Sequence, residues 1–258
     1  MPAALPSSLS SLGDFKACRN IADGAVIILA SGASAKDFPI TEFGHVPFIA
    51  MNGSITLLNE AGISPFFYVS SDRGFAREQP ELFSLAMAKS QRVAIWQDQY
   101  ERLQPKPGGE VFFLKKARNL SFFQRLIDHD QVLVRNHNSL NKRVRSLGFS
   151  KNLEHGYFDA RTVAYLALQI AYHVGFTQVF LLGVDLNQSV ARFYEKDGSH
   201  KSPCGLDQHL EGRILPSFKL AASQVAGERF RIYNLSSTSR IPDEVIPKIS
   251  LNTLRSMI

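Results

Sequence analysis

Residues 25–37 read AVIILASGASAKD, and the step from the apolar run into the Gly/Ser turn decides the fold. The run is short, rich in β-branched residues and shows no helical period, so it reads as a buried strand. The turn that follows at once is the kind of connection that joins such a strand to a helix.

The pattern repeats outward along the chain. VPFIAMNGS (46–54) is a second strand, and Leu57, Leu58 and Ala61 mark a helix that Gly62 ends with a left-handed cap. FFYVSSD (66–72) is a third strand, a helix carries Phe75, Leu82, Phe83, Leu85 and Met87, and RVAIW (92–96) is a fourth strand. Later, FDARTVAYLALQIAYHVGF (158–176) reads as a helix apolar on most faces, capped by Asp159 and ended by Gly175. QVFLLGVD (178–185) is again a strand, followed by a long helix over roughly 205–226 and the strand RFRIYNLS (229–236). Successive β-α-β units with right-handed crossovers give an α/β protein with an open, mostly parallel sheet and helices on both faces, Rossmann-like in outline. One domain over 1–258 is expected, with an irregular basic insertion around 100–157 that includes NHNSLNKRVRSLGFSK (136–151).

Composition narrows the class. The 258 residues are 45% hydrophobic, ample for a packed core. Lys and Arg number 29 against 23 Asp and Glu, a formal charge of +6 that favours anionic partners. Two cysteines, Cys18 and Cys204, stand far apart without zinc-ligand spacing. No apolar run is long enough for a signal peptide or a membrane span, so a cytosolic protein able to touch a membrane surface is expected. The basic run Lys142, Arg143, Arg145, Lys151 matches no nucleic-acid-binding signature. It reads as a solvated face, or secondarily as a contact for an anionic headgroup or a phosphate.

In a parallel sheet the carboxyl ends of the strands share one edge, where ligands bind at the point at which strand order reverses. Ser31, Gly32 and Ser34 end the first strand, Asn52 the second, and Ser71, Asp72 and Arg73 the third. Neither GxGxxG nor GxxxxGK[ST] occurs, so convergence rather than a fingerprint marks the crevice. Helix capping is the competing role for Asn52 and Asp72. After the 178–185 strand comes LNQSVARFYEKDGSH (186–200), whose Arg192 and Tyr194 are suited to a phosphate. Asp185 lacks a neighbouring carboxylate and reads as a hydrogen-bond acceptor or cap, with metal ligation the lesser alternative. His200 and His209 are candidate bases, with Asp207 beside the latter.

Taken together, ILASGASAKD, FIAMNGS, FFYVSSDRGF, DARTVAYLALQIAY, GVDLNQSVARFYE, ILPSF and IYNLSSTSRIPDEVIPKI resemble the WaaZ family of bacterial lipopolysaccharide core proteins, assigned as transferring an additional Kdo (3-deoxy-D-manno-octulosonic acid) residue. The resemblance spans roughly 25–250. A fainter one reaches the CMP-sialic-acid-dependent bacterial sialyltransferases. These resemblances imply a sialyltransferase-like glycosyltransferase with a CMP-Kdo donor, a lipopolysaccharide core acceptor, and no cofactor or metal. They imply a cytoplasmic location, peripheral at the anionic inner face of the inner membrane. They place Gly32, Ser34, Asn52, Ser71 and Thr162 around the CMP, and put Asn187 where the sialyltransferases have a first phosphate-supporting tyrosine. Tyr194, aided by Arg192, is left for the phosphate, with His209 or Asp207 as the base. The alternative is a nucleotide- or glycan-binding assembly protein without turnover.

Overall fold

The protein is described here by a computed structural model covering residues 11–118, 131–136, 146–195 and 205–258. Ten strands occur among these residues: β1 (Leu12–Gly13), β2 (Ala25–Leu29), β3 (Phe48–Met51), β4 (Phe67–Ser70), β5 (Arg92–Ile95), β6 (Glu110–Phe113), β7 (Leu133–Arg135), β8 (Gly148–Ser150), β9 (Gln178–Leu182) and β10 (Arg231–Asn234). Eight form one sheet in the order β1-β6-β5-β4-β3-β2-β9-β10. Every adjacent pair in it is parallel. β7 and β8 pair antiparallel as a separate hairpin.

The strand sequences explain the layering. Successive side chains point to opposite faces, and in β2 Val26 and Ile28 enter one core while Ile27 and Leu29 enter the other. All four are fully buried, which accounts for the uninterrupted apolar run. The first core packs beneath α5 (Val163–Val174) and α7 (Leu215–Gln224). The second lies under α1 (Ile55–Glu60), α3 (Pro80–Lys89) and α8 (Leu251–Met257). Short helices α2 (Phe75–Glu78), α4 (Gln97–Arg102) and α6 (Leu206–His209) sit at the strand-end side. The architecture is the expected α/β one, with helices on both faces.

Several details depart from the sequence reading. No helix follows β2: the Gly/Ser turn closes in a three-residue 3-10 turn, Ala33–Ala35, since Pro39 disfavours helical backbone just before it. The long helix expected over 205–226 runs without a break from Leu206 to Gln224, but Leu210–Ile214 winds as a π turn in which the Leu215 N–H bonds to the Leu210 carbonyl. Part of the expected basic insertion is core, for Leu147 and Phe149 are buried and β8 packs against α5. Lys151 is half-buried, whereas Lys142, Arg143, Arg145, His200 and Cys204 lie outside the described residues.

Two buried polar groups fix α5. Gln169 Oε1 accepts the Ser150 and Phe158 N–H groups at 3.0 and 2.9 Å, tying the hairpin and the helix approach together. His173 accepts the Leu153 N–H on Nδ1 at 3.1 Å, so Nε2 carries the hydrogen that meets the Phe15 carbonyl at 2.6 Å. Burial lowers the pKa of this imidazole, against the partial opposition of its Phe15 hydrogen bond. The folded pKa is thus below the unfolded one, so this contribution to stability is complete above about pH 6.5 and is lost as pH falls through the folded value. Denaturant unfolding from about pH 8 to pH 5 should show that decline, and His173→Gln should flatten it. An unchanged slope in the variant would mean that other groups set the acid limit.

Candidate functional site

Sheet order reverses between β2 and β9, since β3 to β6 extend from β2 in one direction while β9 and β10 lie on its other side. A crevice of about 780 Å³ opens at the carboxyl ends of these strands, the position expected for a ligand in an open α/β sheet. Ser31, Gly32 and Asn52 line it from β2 and β3, and Ser71, Asp72 and Arg73 from β4. Thr162 enters from the start of α5, and Asp185, Asn187, Arg192 and His209 from the segments after β9. Ser34, Tyr194 and Asp207 do not line it.

Asp185 joins three loops. Its carboxylate accepts the Ser34 N–H at 3.0 Å together with the hydroxyls of Ser34 and Ser236. Its carbonyl accepts the Arg240 N–H at 3.0 Å. The role is that of hydrogen-bond acceptor, and Ser34 serves behind the wall as one of its donors. Gly32 is required by closeness: a Cβ there would stand 2.4 Å from the Gly183 carbonyl and 2.5 Å from Asp185 Oδ2. On the same wall Asn52, Arg161 and Leu186 hold positive φ of 50°, 63° and 55°. Each such residue costs on the order of 1–3 kcal/mol and persists where its surroundings over-determine it. Asn52 does not cap a helix; its side chain lines the crevice, and its Oδ1 is buried with no hydrogen-bond partner among the described residues. Asp72 does turn back, accepting the Gly74 N–H at 2.8 Å, and Asn187 similarly accepts the Ser189 N–H at 3.0 Å.

The 187–195 loop presents Arg192. Its Nη1 donates to Tyr194 Oη at 2.9 Å and lies 3.9 Å from Glu195 Oε1. The Tyr194 ring covers Gly53 so closely that a Cβ there would fall 2.1 Å from Cδ1, and the ring meets Phe75 edge-on at 6.3 Å. Tyr194 therefore wedges the loop against the second core and steadies the guanidinium. His209 stands on the wall where α6 passes into the π turn. Asp207 instead pairs with Arg240, and its N–H reaches Gln188 Oε1 at 3.3 Å.

Trp96, Lys116, Tyr157, Asp159 and Arg161 also line the crevice, and sequence reasoning gives none of them a place there. Trp96 follows β5 directly, so the strand-end rule could have found it. Asp159 is not the α5 cap, a position Thr162 holds; it accepts the Arg161 N–H at 2.8 Å and pairs with Lys116 Nζ at 2.7 Å. Burial alone would raise its carboxyl pKa, but the hydrogen bonds from Lys116 and Arg161 outweigh this and hold it below the ordinary value. Burial also raises the Tyr157 phenol, which stays protonated. Arg213, inside the π turn, donates from Nε to the Asp159 carbonyl at 2.7 Å and from Nη1 to Ser146 Oγ at 3.0 Å.

Polar loop ends, cations and a histidine thus meet in the switch-point crevice of an open parallel sheet, the place where α/β proteins of this class hold their ligands. Residues 14–252 match the family described as 3-deoxy-D-manno-octulosonic acid transferase WaaZ, and the chain belongs to that family, a family of glycosyltransferases. Two relatives carry the description "Probable 3-deoxy-manno-octulosonic acid transferase". The one from Escherichia coli (strain K12) is 30% identical over 244 residues, 89% of this chain and 83% of its own. That from Salmonella typhimurium (strain LT2) is 30% identical over 251 residues, 90% of this chain and 89% of its own. The solved MAf glycosyltransferase from Magnetospirillum magneticum AMB-1 aligns with 96% of the chain at 14% identity and a TM-score of 0.48, and the chain spans 35% of that protein's length.

Proposed function

We propose that the protein moves Kdo from CMP-Kdo to a sugar hydroxyl of the lipopolysaccharide inner core, without a metal, at the anionic inner face of the inner membrane. The observation that carries this reading is the convergence of strand-end loops from β2, β3, β4 and β9 on one crevice of about 780 Å³. Among the described residues no helix is long and apolar enough to cross a membrane, and the +6 charge suits approach to an anionic surface.

Three groups divide the work. Backbone groups around Ser31 and Gly32 and the Asn52 side chain hold the nucleotide. Arg192, fixed by Tyr194, faces the phosphate whose charge grows as the bond to the sugar breaks. His209 takes the acceptor proton. The anomeric carbon of a keto sugar is fully substituted, so bond breaking runs ahead of attack and support of the leaving phosphate dominates.

A thermal-shift panel of CMP, UDP, GDP and ATP should raise the melting point with CMP alone, because a ligand of the folded form stabilises it. Incubation with CMP-Kdo and truncated core should then add the mass of one Kdo to the core. A shift with ATP or UDP in place of CMP would overturn the donor assignment, and CMP binding with no mass gain would favour an assembly protein without turnover.

A further inference from the structure

The crevice is longer than its donor end. Its lining runs from Asp185 after β9, through Gly32, Asn52 and Arg73 after β2, β3 and β4, to Trp96 after β5 and Lys116 beyond β6. These six adjacent strands span about 24 Å at ~4.8 Å per strand. The donor proposed above uses the switch-point end, leaving the wall formed by Trp96, Lys116, Tyr157, Asp159 and Arg161 without a task.

That far end has a distinct chemistry. Arg73 and Lys116 lie 5.0 and 6.0 Å from the centre of the Trp96 ring, and Trp96 itself packs against Tyr157 with ring centres 6.1 Å apart. Lys116 pairs with Asp159, but its side chain is 56% exposed, and a pair so open to water is worth about 0–1 kcal/mol, little enough to exchange for a ligand oxyanion. Arg161 is exposed on the same wall, and among the described residues no carboxylate pairs with its guanidinium. Asp159 stays ionised beside them, an acceptor for a sugar hydroxyl.

We propose that this end is the acceptor subsite and that it selects an acidic sugar: Lys116 and Arg161 take an oxyanion of the acceptor while Asp159 receives one of its hydroxyl groups. The assignment rests on the donor reading of the opposite end. A sugar carboxylate and a phosphate substituent present the same charge chemistry, and the probes below separate them.

Binding to the full chain would be measured with and without saturating CMP, using the methyl glycoside of Kdo, its neutral C1 methyl ester, and glucose 1-phosphate. The carboxylate sugar should bind at least tenfold more tightly than its ester. Lys116→Gln and Arg161→Gln should each remove most of that preference while the CMP thermal shift stays at the wild-type value. Preference for glucose 1-phosphate over the carboxylate, lost in the same variants, would keep the subsite and assign the oxyanion as phosphate. Equal binding of acid and ester, or a preference that both variants retain, would overturn the proposal. If CMP fails to bind the wild-type protein, the donor reading falls, and the acid-against-ester comparison without CMP still decides this one.

Discussion

Replacing Arg192 with alanine should lower kcat by about 10²–10³-fold, the usual effect of removing one donor aimed at charge that develops in the transition state. The CMP thermal shift should change far less, because the donor phosphate carries less charge before the sugar leaves than after. Rapid-quench turnover with CMP-Kdo and truncated core, beside CMP titration, separates the two effects. Arg192→Lys should fall between, since an ammonium keeps the charge but not the fork of donors, one of which is already held by Tyr194. The guanidinium also lies near Glu195, whose side chain is only 9% exposed, so melting curves of both variants are needed to show that the loop still closes. Turnover within about threefold of wild type for Arg192→Ala in a folded protein, well short of the loss expected for such a donor, would remove this side chain from the mechanism.

Asp185→Ala should be the most destabilising change in the crevice. It strips the acceptor from the Ser34 N–H and from the Ser34 and Ser236 hydroxyls, and unsatisfied donors of this kind cost about 1–3 kcal/mol each. Crevice water offsets part of that, leaving a loss of about 3 kcal/mol, or roughly 6–12 °C in Tm. Asp185→Asn should cost about 1 kcal/mol. The amide oxygen it introduces can accept the Ser34 N–H while the NH₂ donates to the two hydroxyls, which serve equally well as acceptors. The contrast distinguishes a hydrogen-bonded clamp from a metal ligand. A coordinating aspartate would lose function in both variants, with activity abolished by chelator and restored by the divalent ion. The expected pattern is activity that persists in excess chelator, with the Asp185→Asn protein stable and the Asp185→Ala protein not.

The sheet is largely legible in the sequence because parallel strands buried on both faces must be written as short apolar runs, as in AVIILA and QVFLL. The strand-end rule then places Gly32, Asn52, Ser71 and Asp185 on one edge. What stays hidden depends on partners distant in the chain. Gly32 reads locally as a turn residue, yet its need for glycine comes from Gly183 and Asp185, which are remote in sequence. Lys116 and Asp159 meet across 43 positions, so Asp159 reads as a local helix cap until the two are brought together. Tyr194 has the chemistry of a phosphate ligand, but the bare backbone at Gly53 draws its ring out of the crevice. β1 pairs through two residues at the sheet margin, too few to leave a pattern.

The π turn at Leu210–Ile214 has a consequence for where His209 points. An α-helix advances about 100° per residue, and a π turn inserts one residue beyond what the regular ladder holds. The direction of the imidazole is therefore governed by how many residues separate it from Leu215, independently of which residues they are. A chain one residue shorter in this stretch could keep every side chain named above and still turn its histidine by more than a quarter of a circle, away from the crevice wall it now lines.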